Sequence, residues 1–532
     1  MPYDVLEVDP TQVTDRADLG LPSLTTGASP LFRRRDELSP QELGLEGTTL
    51  GWDTAFAIRL PDVNSALKNS GNYPKDFAGV IDQEEKWELK DGKFGTWQLA
   101  RGGSGGIVFV SIPIDDGLMT YGEKSYPLKG ATVYVSVKLR YVPQKPSLTD
   151  IDVGGRTFQI QPLSSDGDDP ELEIDDLITD PMARSVQDPA VVIQNITYTG
   201  TEPKPSTQAL IKEAFQEWFN KNVVRFAYVF ATVNLNERAA EERFQWVKPT
   251  YTSYAYFDGS TDDNSYFGVL NMTEDRSADG LTNQLAPGSI PSGARAGFSI
   301  GMERFLEKLV LPGLAKGFPH ASTSDFKMTS NNTIIENTRP IESDKVKVNG
   351  IDYTPMIQKF VLQVIGSEVQ IRTLTKIEIS PGIRAWVDCT SYQEIIVVNK
   401  PNGTQTLDFK QTREPFKNHW IEKDPWVTIT EIIIGIVGAV AGAVAAKILQ
   451  GAVKIMIALI IIAIVAGLAA ATPELVAKVA GGGAAEALPP IDLIVLNSTA
   501  PVNWPGASKF TLTSAGLNGS FQLGGNPGFS GG

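Results

Sequence analysis

Two periodicities run through this chain, one of two residues and one near 3.6. ATVYVSVKLRYV alternates strictly: Val133, Val135, Val137, Leu139 and Tyr141 fall on one side, Thr132, Ser136, Lys138 and Arg140 on the other. That spacing predicts an antiparallel strand with one wet face. AFAIRL, TWQLA and IVFVSIPI read as strands too, the last two joined by RGGSGG as a hairpin. Between Lys327 and Lys410 the runs FVLQVIGS, VQIRTLTKIEIS, IRAWVDC and EIIVVN predict a strand-dominated region. Helical spacing appears in PDVNSALKN, with Pro61 in a first-turn position, and in TQALIKEAFQEWFNKN. In the latter, Leu210, Ile211, Ala214, Phe215, Trp218 and Phe219 form one stripe. In SIGMERFLEKLVLPGL, Ser299 is the expected N-cap, and Met302, Phe305, Leu306, Leu309 and Val310 share a face. Both stripes read as core; the sharper alternative is that they border an apolar cavity.

One segment has neither period. TITEIIIGIVGAVAGAVAAKILQGAVKIMIALIIIAIVAGLAAA, Thr428 to Ala471, is apolar nearly all round. Glu431, Lys447 and Lys454 leave uncharged runs of about 22 and 25 Å at 1.5 Å per residue, shorter than the roughly 30 Å of hydrocarbon in a bilayer. Such a helix needs enclosure on most sides. Gly435, Gly438 and Gly442 are expected to let a neighbour approach closely. Two readings stay open: enclosure within sheets of a soluble fold, or membrane insertion as a hairpin after a conformational change. If enclosed, the helix is either packed dry or leaves room for an acyl chain.

The chain of 532 residues exceeds one simple core. The expected organisation is an N-terminal arm (1–48), a sheet-rich part (49–200), a helix–strand middle (201–325) and a second sheet–helix part (326–532). The class is α+β. The net charge of −15 argues against nucleic-acid binding and leaves only local, peripheral contact with an anionic membrane. Arg33, Arg34 and Arg35 read as a solvated or ion-paired run, with a headgroup or partner contact as the alternative.

Little points to catalysis. Cys389 is the single cysteine, in a strand-like run, and reads as a buried inert thiol rather than a nucleophile. Two histidines, His320 and His419, exclude multi-histidine zinc sites. Gly102-Gly103-Ser104-Gly105-Gly106 matches GxSxG in letters, but a strand follows where the nucleophile elbow needs a helix. The acidic stretch SSDGDDPELEIDDLITD reads as a solvated loop, its spacing unlike that of an EF-hand. No catalytic residue, metal or cofactor is assigned. GGGAAEALPP reads as a flexible connector. The start lacks the features of a cleaved signal peptide, so synthesis in the cytoplasm, with any release by a non-classical route, is expected.

Six blocks, in order, resemble the OrfX-type proteins encoded beside botulinum and related toxins: GWDTAFAIRLPDVNSAL (51–67), AYVFATVNLN (227–236), WVKPTYTSYAY (246–256), SYFGVLNMTEDR (265–276), GFSIGMERFLEKLVLPGLAKGF (297–318) and FTLTSAGLNGSFQLGG (510–525). The resemblance implies a tubular lipid-binding (TULIP) fold, with long antiparallel sheets rolled around long helices in two or more units. It also implies a non-enzymatic accessory role. The implied partners are lipid or another apolar ligand, and proteins of a toxin cluster or secretion complex. The groove would be lined by Leu210, Phe215, Trp218, Phe305, Leu309, Ile434, Val437, Val444, Ile457, Ile461 and Ile464. The alternatives are a packed groove serving only as a partner-binding scaffold, and a membrane-inserting or pore-forming protein using 428–471.

Overall fold

The structure is a computed structural model and describes residues 13–15, 33–39, 43, 45–71, 73–143, 157–162, 191–222, 232–234, 246–247, 249–318, 320–491 and 507–529. The acidic stretch 164–180 lies outside them, as does most of the 227–236 block. The principal strands are β1 (Val13–Asp15), β2 (Thr54–Arg59), β3 (Asp76–Asp82), β4 (Trp87–Phe94), β5 (Gln98–Ser104), β6 (Ile107–Tyr121), β7 (Ala131–Pro143) and β8 (Val191–Tyr198). After these come β9 (Pro249–Phe257), β10 (Tyr266–Thr273), β11 (Met356–Ile365), β12 (Glu368–Ser380), β13 (Ile383–Asn399), β14 (Gln405–Gln411) and β15 (Phe416–Lys423). The helices are α1 (Leu60–Ser70), α2 (Pro205–Lys221), α3, α4 (Glu431–Ala466), α5 (Pro473–Ala480) and α6 (Ala484–Ala487). Within α3, an α turn Met302–Arg304, a π-helical stretch Phe305–Val310 and a second α turn Leu311–Leu314 follow one another.

Contacts divide the chain into two units. The first comprises 1–48, 300–494 and 514–523; the second comprises 49–299, 495–513 and 524–532. Both are of mixed α and β structure, and their sheets are built mainly from antiparallel pairs.

In the second unit the alternation of β7 becomes register. Val110, Val135 and Ile193 lie side by side across β6, β7 and β8, each at most 2% exposed. β5 and β6 form the expected hairpin around the glycine run, and Gly105 at its tip bridges Tyr256 of β9. The GxSxG letters therefore mark a turn. Helix α2 touches strands at both margins of this sheet. Gln216 Nε2 donates to Val191 O at 2.6 Å and Ile193 N donates to Gln216 Oε1 at 2.8 Å, which satisfies edge strand β8. Trp218 Nε1 donates to Ala78 O of edge strand β3 at 3.0 Å.

A six-stranded sheet has the order β9, β10, β2, Ala296–Gly301, Ser520–Phe529, Ala507–Leu517. Ser299 lies in it, buried, so it does not cap α3; Gly301 stands at the N-cap position. Sheet pairing claims the serine's backbone before the helix begins.

The first unit is built on a nine-stranded sheet in the order β1, β15, β13, β12, β11, Ile334–Asn337, Phe326–Thr329, with β14 on β13 and Ile341–Glu342 on β11. One face carries buried charge. Arg372 Nε and Nη2 grip Asp388 at 2.9 and 2.6 Å, with both side chains at most 5% exposed. Each charge is thus paired and hydrogen-bonded, the condition under which burial is tolerated. Beside them Arg384 reaches Glu378, Glu422 and Asp424, and Trp386 stacks parallel to Trp420 at 5.9 Å. On the opposite face stand Ile371, Val387 and Ile421, nearly devoid of exposure.

The arginine run resolves into anchors. Arg34 pairs with Asp36 and Glu336, while Arg35 is buried, its amide donating to Gln363 Oε1 at 2.8 Å and its guanidinium to Val364 O. GGGAAEALPP is not a loose connector. It forms α6, buries Ala484 and Leu488, and binds Lys400 Nζ through the carbonyls of Ala485 and Leu488.

Candidate functional site

Helix α4 is the longest apolar element of the first unit. Thr430 Oγ1 accepts from Ile433 N at 3.4 Å and begins it. A π-helical stretch, Ile448–Ala452, interrupts it without breaking it. Gly467, at φ 77°, ends it, because few side chains tolerate that backbone. Its 36 residues give a rod of about 54 Å.

Burial along the rod is uneven. Every residue from Met456 to Val465 is at most 3% exposed. At the other end Ile432 is 76% exposed, and Trp426, just before the helix, is 71% exposed. The three charges lie at the surface: Glu431 and Lys454 are exposed, and Lys447 Nζ meets Asp344 at 3.0 Å. They therefore puncture the apolar text without entering the core.

Among the described residues, α4 is covered by strands β13, β14, β15 and Val346–Val348, by helix α3 and by helix α5. α3 and the 3-10 turn Ala315–Gly317 after it approach closely. A Cβ on Gly313 would stand 3.4 Å from Leu459 Cβ, and one on Gly317 would stand 2.7 Å from Met456 Cγ. Two close-approach glycines thus sit on the neighbouring segment 302–317. Gly435 has open space around it, whereas Gly438 and Gly442 are buried. Phe305 of α3 stacks on Phe521 at 5.6 Å.

The residues assigned from sequence fall into two groups, one in each unit. Phe305, Leu309, Val437, Val444, Ile457, Ile461 and Ile464 are buried in the first unit, and Ile434 is half-buried near the open end of α4. Phe215 and Trp218 belong to the second unit, where they pack with Phe77, Phe94 and Phe219 into an aromatic core; Leu210 is half-buried. The structure does not bring the α2 residues together with those of α4.

A feature missed in the sequence lies on the inner face of the first unit's sheet. Thr373, Thr375, Gln393 and His419 are at most 6% exposed, and Thr373 Oγ1, Thr375 Oγ1, Gln393 Oε1 and His419 Nε2 have no hydrogen-bond partner among the described residues. Register places Thr375, Val387 and His419 in one row, with Thr373 and Cys389 in the next. These are polar groups on the face that carries Val387 and Ile421. Burial without a partner is costly, so such groups call for water or a bound polar atom. Desolvation lowers the pKa of His419 and pushes the Cys389 thiol up to about 12. The sequence signal was the polar letters breaking the apolar alternation of VQIRTLTKIEIS. Among the described residues, no group of three or more His, Cys, Asp or Glu side chains is placed to hold a metal ion.

Comparison with known proteins follows the same chain. A family model described as "OrfX-like: Protein OrfX2/OrfX3/P47" matches residues 49–525. Protein OrfX3 of Paraclostridium bifermentans is 26% identical over 496 residues, covering 90% of this chain and 98% of the relative. Protein OrfX3 of Clostridium botulinum (strain Kyoto / Type A2) is 26% identical over 506 residues, covering 90% and 99%. The solved structure of P47 from Clostridium botulinum A2 superposes with a TM-score of 0.58 at 18% identity, over 90% of this chain and 98% of that one. This last likeness concerns the fold alone.

Proposed function

The chain belongs to the OrfX-like family of OrfX2, OrfX3 and P47 proteins, and from that premise we propose that it is a non-enzymatic accessory protein of a toxin-type gene cluster that works by binding. Its ligand is lipid or another apolar molecule, held along α4 in a TULIP-like roll of sheet. One observation carries this reading: polar atoms of Thr373, Thr375, Gln393 and His419 that have no partner among the described residues are buried on the sheet face that holds Val387 and Ile421. An amphiphile supplies both a chain for the apolar helix and polar atoms for such a patch. Each methylene buried contributes about 0.8 kcal/mol, so one acyl chain is held without catalytic chemistry. The two-edged docking of α2 on β8 and β3 supports a rolled arrangement in the second unit.

A second reading has its own support. Met456 to Val465 are at most 3% exposed, covered by the protein's own atoms. On that reading the rod is a packed spine, and the protein acts as a scaffold for other proteins of the cluster.

Native mass spectrometry and organic extraction of protein purified without detergent separate the two. Co-purifying lipid, or stoichiometric uptake of an added fatty acid, is the expected result. Repeated absence of both leaves the packed scaffold.

A further inference from the structure

Strand pairing gathers buried polar groups of the first unit into a block two rows deep and three strands wide. One row is Thr375, Val387 and His419; the next is Thr373, Cys389 and Lys417. At the spacing of neighbouring strands, Thr375 and His419 stand roughly 10 Å apart with Val387 between them, and Thr373 lies about 7 Å from Thr375 along β12. On β11, Phe360 stands opposite Thr373 and Ile357 opposite Thr375, both fully buried. The two threonine hydroxyls and His419 Nε2 have no partner among the described residues, in residues at most 6% exposed. Gln393 shares the face but stands four residues past Cys389, about 13 Å along β13, and lies outside the block.

The interior of the block is polar without being charged. A threonine hydroxyl both donates and accepts, and a neutral imidazole nitrogen does one or the other. Desolvation favours the neutral form of His419. The buried charges of this sheet, Arg372, Asp388 and Arg384, are on its opposite face. The one cation in the two rows is Lys417 of β15, which is exposed. Two strand spacings, roughly 10 Å, separate it from Thr373. An anionic head drawn to Lys417 would stay at the surface and leave both threonines unsatisfied. Carried further in, it would be an ion without a counter-charge, which burial penalises heavily. Uncharged groups several ångströms apart instead suit a neutral head with more than one oxygen.

Resting on the reading that the first unit holds an amphiphile, we propose that this amphiphile is a neutral, hydroxyl-bearing lipid of the monoacylglycerol class, and that Thr373, Thr375 and His419 read its glycerol head. The glycerol hydroxyls exchange hydrogen bonds with the threonines and with His419 Nε2. The acyl chain runs over the apolar surface of α4, which touches β13 and β15. A fatty ester without hydroxyls fills the same apolar surface but leaves the block unsatisfied. A fatty-acid anion or an acidic phospholipid brings a charge that the block does not match.

The test uses the full-length protein, purified without detergent and stripped of lipid. It is titrated with 1-monooleoylglycerol, methyl oleate, oleate and dioleoylphosphatidylglycerol, and bound lipid is counted by native mass spectrometry. Monooleoylglycerol is expected to bind roughly tenfold or more tighter than any of the other three. The paired substitution Thr373→Val and Thr375→Val trades each hydroxyl for a methyl of similar shape. It is expected to keep or raise the Tm of the lipid-free protein while bringing monooleoylglycerol down to the affinity of methyl oleate. Thr373→Ser with Thr375→Ser keeps the hydroxyls and should keep the preference. Equal affinity for all four lipids, or a preference untouched by the valine pair, overturns the headgroup assignment and leaves the amphiphile reading standing. Tighter binding of oleate or phosphatidylglycerol, reversed by Lys417→Gln, overturns it in favour of an anionic ligand held at the rim. No uptake of any of the four overturns both.

Discussion

Trp218 Nε1 donates to the carbonyl of Ala78 at 3.0 Å while its ring stands edge-on to Phe77 at 6.0 Å. One side chain thus ties α2 to an edge strand and closes the aromatic core beneath it. Trp218→Ala is expected to destabilise the second unit by about 3–5 kcal/mol, the cost of a large cavity. Trp218→Phe keeps part of the packing and loses the hydrogen bond, so a smaller loss is expected. Denaturant unfolding followed by tryptophan fluorescence and circular dichroism measures both; an alanine variant as stable as the parent contradicts the packing.

Two glycines, Gly313 in α3 and Gly317 in the 3-10 turn Ala315–Gly317 that follows it, face α4 at different distances, which gives a paired prediction. Gly317→Ala places a methyl 2.7 Å from Met456 Cγ and is expected to cost about 1–3 kcal/mol through overpacking. Gly313→Ala meets only ordinary contacts at 3.4 Å or more and gains up to about 1 kcal/mol of helix propensity. Thermal unfolding of the two variants should move in opposite directions.

Along α4 the response to truncation should track burial. Ile461, with no exposure, is expected to lose about 2–5 kcal/mol on Ile461→Ala. Ile432, at 76% exposure, should change by no more than about 0.5 kcal/mol on Ile432→Ala. Equal effects at both sites would mean that the rod is not enclosed at its C-terminal end.

Cys389 gives a pH-dependent prediction. Burial raises its thiol to about 12 from an ordinary value of 9.0, so the folded state holds its proton where the unfolded chain has lost it. Stability from this group is present below pH 9 and is lost as pH rises from about 9 towards 12. At pH 8 a thiol reagent should find no reactive cysteine in the native protein and one in denaturant; rapid native labelling would contradict the burial.

The sequence was most legible where periodicity and burial coincide. Val133, Val135 and Val137 alternate inward as their spacing implies, and Ile211, Phe215, Trp218 and Phe219 form the buried stripe of α2. The glycine run at 102–106 is a hairpin tip because strands flank it on both sides. Ser299 misled because a capping residue type can equally complete a strand, and sheet pairing won. Gly435 misled because small residues show where a neighbour fits, not whether one is there. The polar atoms of Thr375 and His419 share a row only through strand pairing 44 residues apart in sequence, which no local pattern records. The docking of β1 on β15 joins residues some four hundred positions apart and had no periodic signal at all.

The central structural claim is that α4 is wrapped by its own protein. Hydrogen exchange on protein purified without detergent, with and without liposomes, tests it most directly. Residues 456–465 should be among the slowest to exchange, unchanged by lipid vesicles, with the protein remaining soluble throughout. Rapid exchange across that stretch, or recovery of the protein only in detergent or with the vesicles, would contradict it.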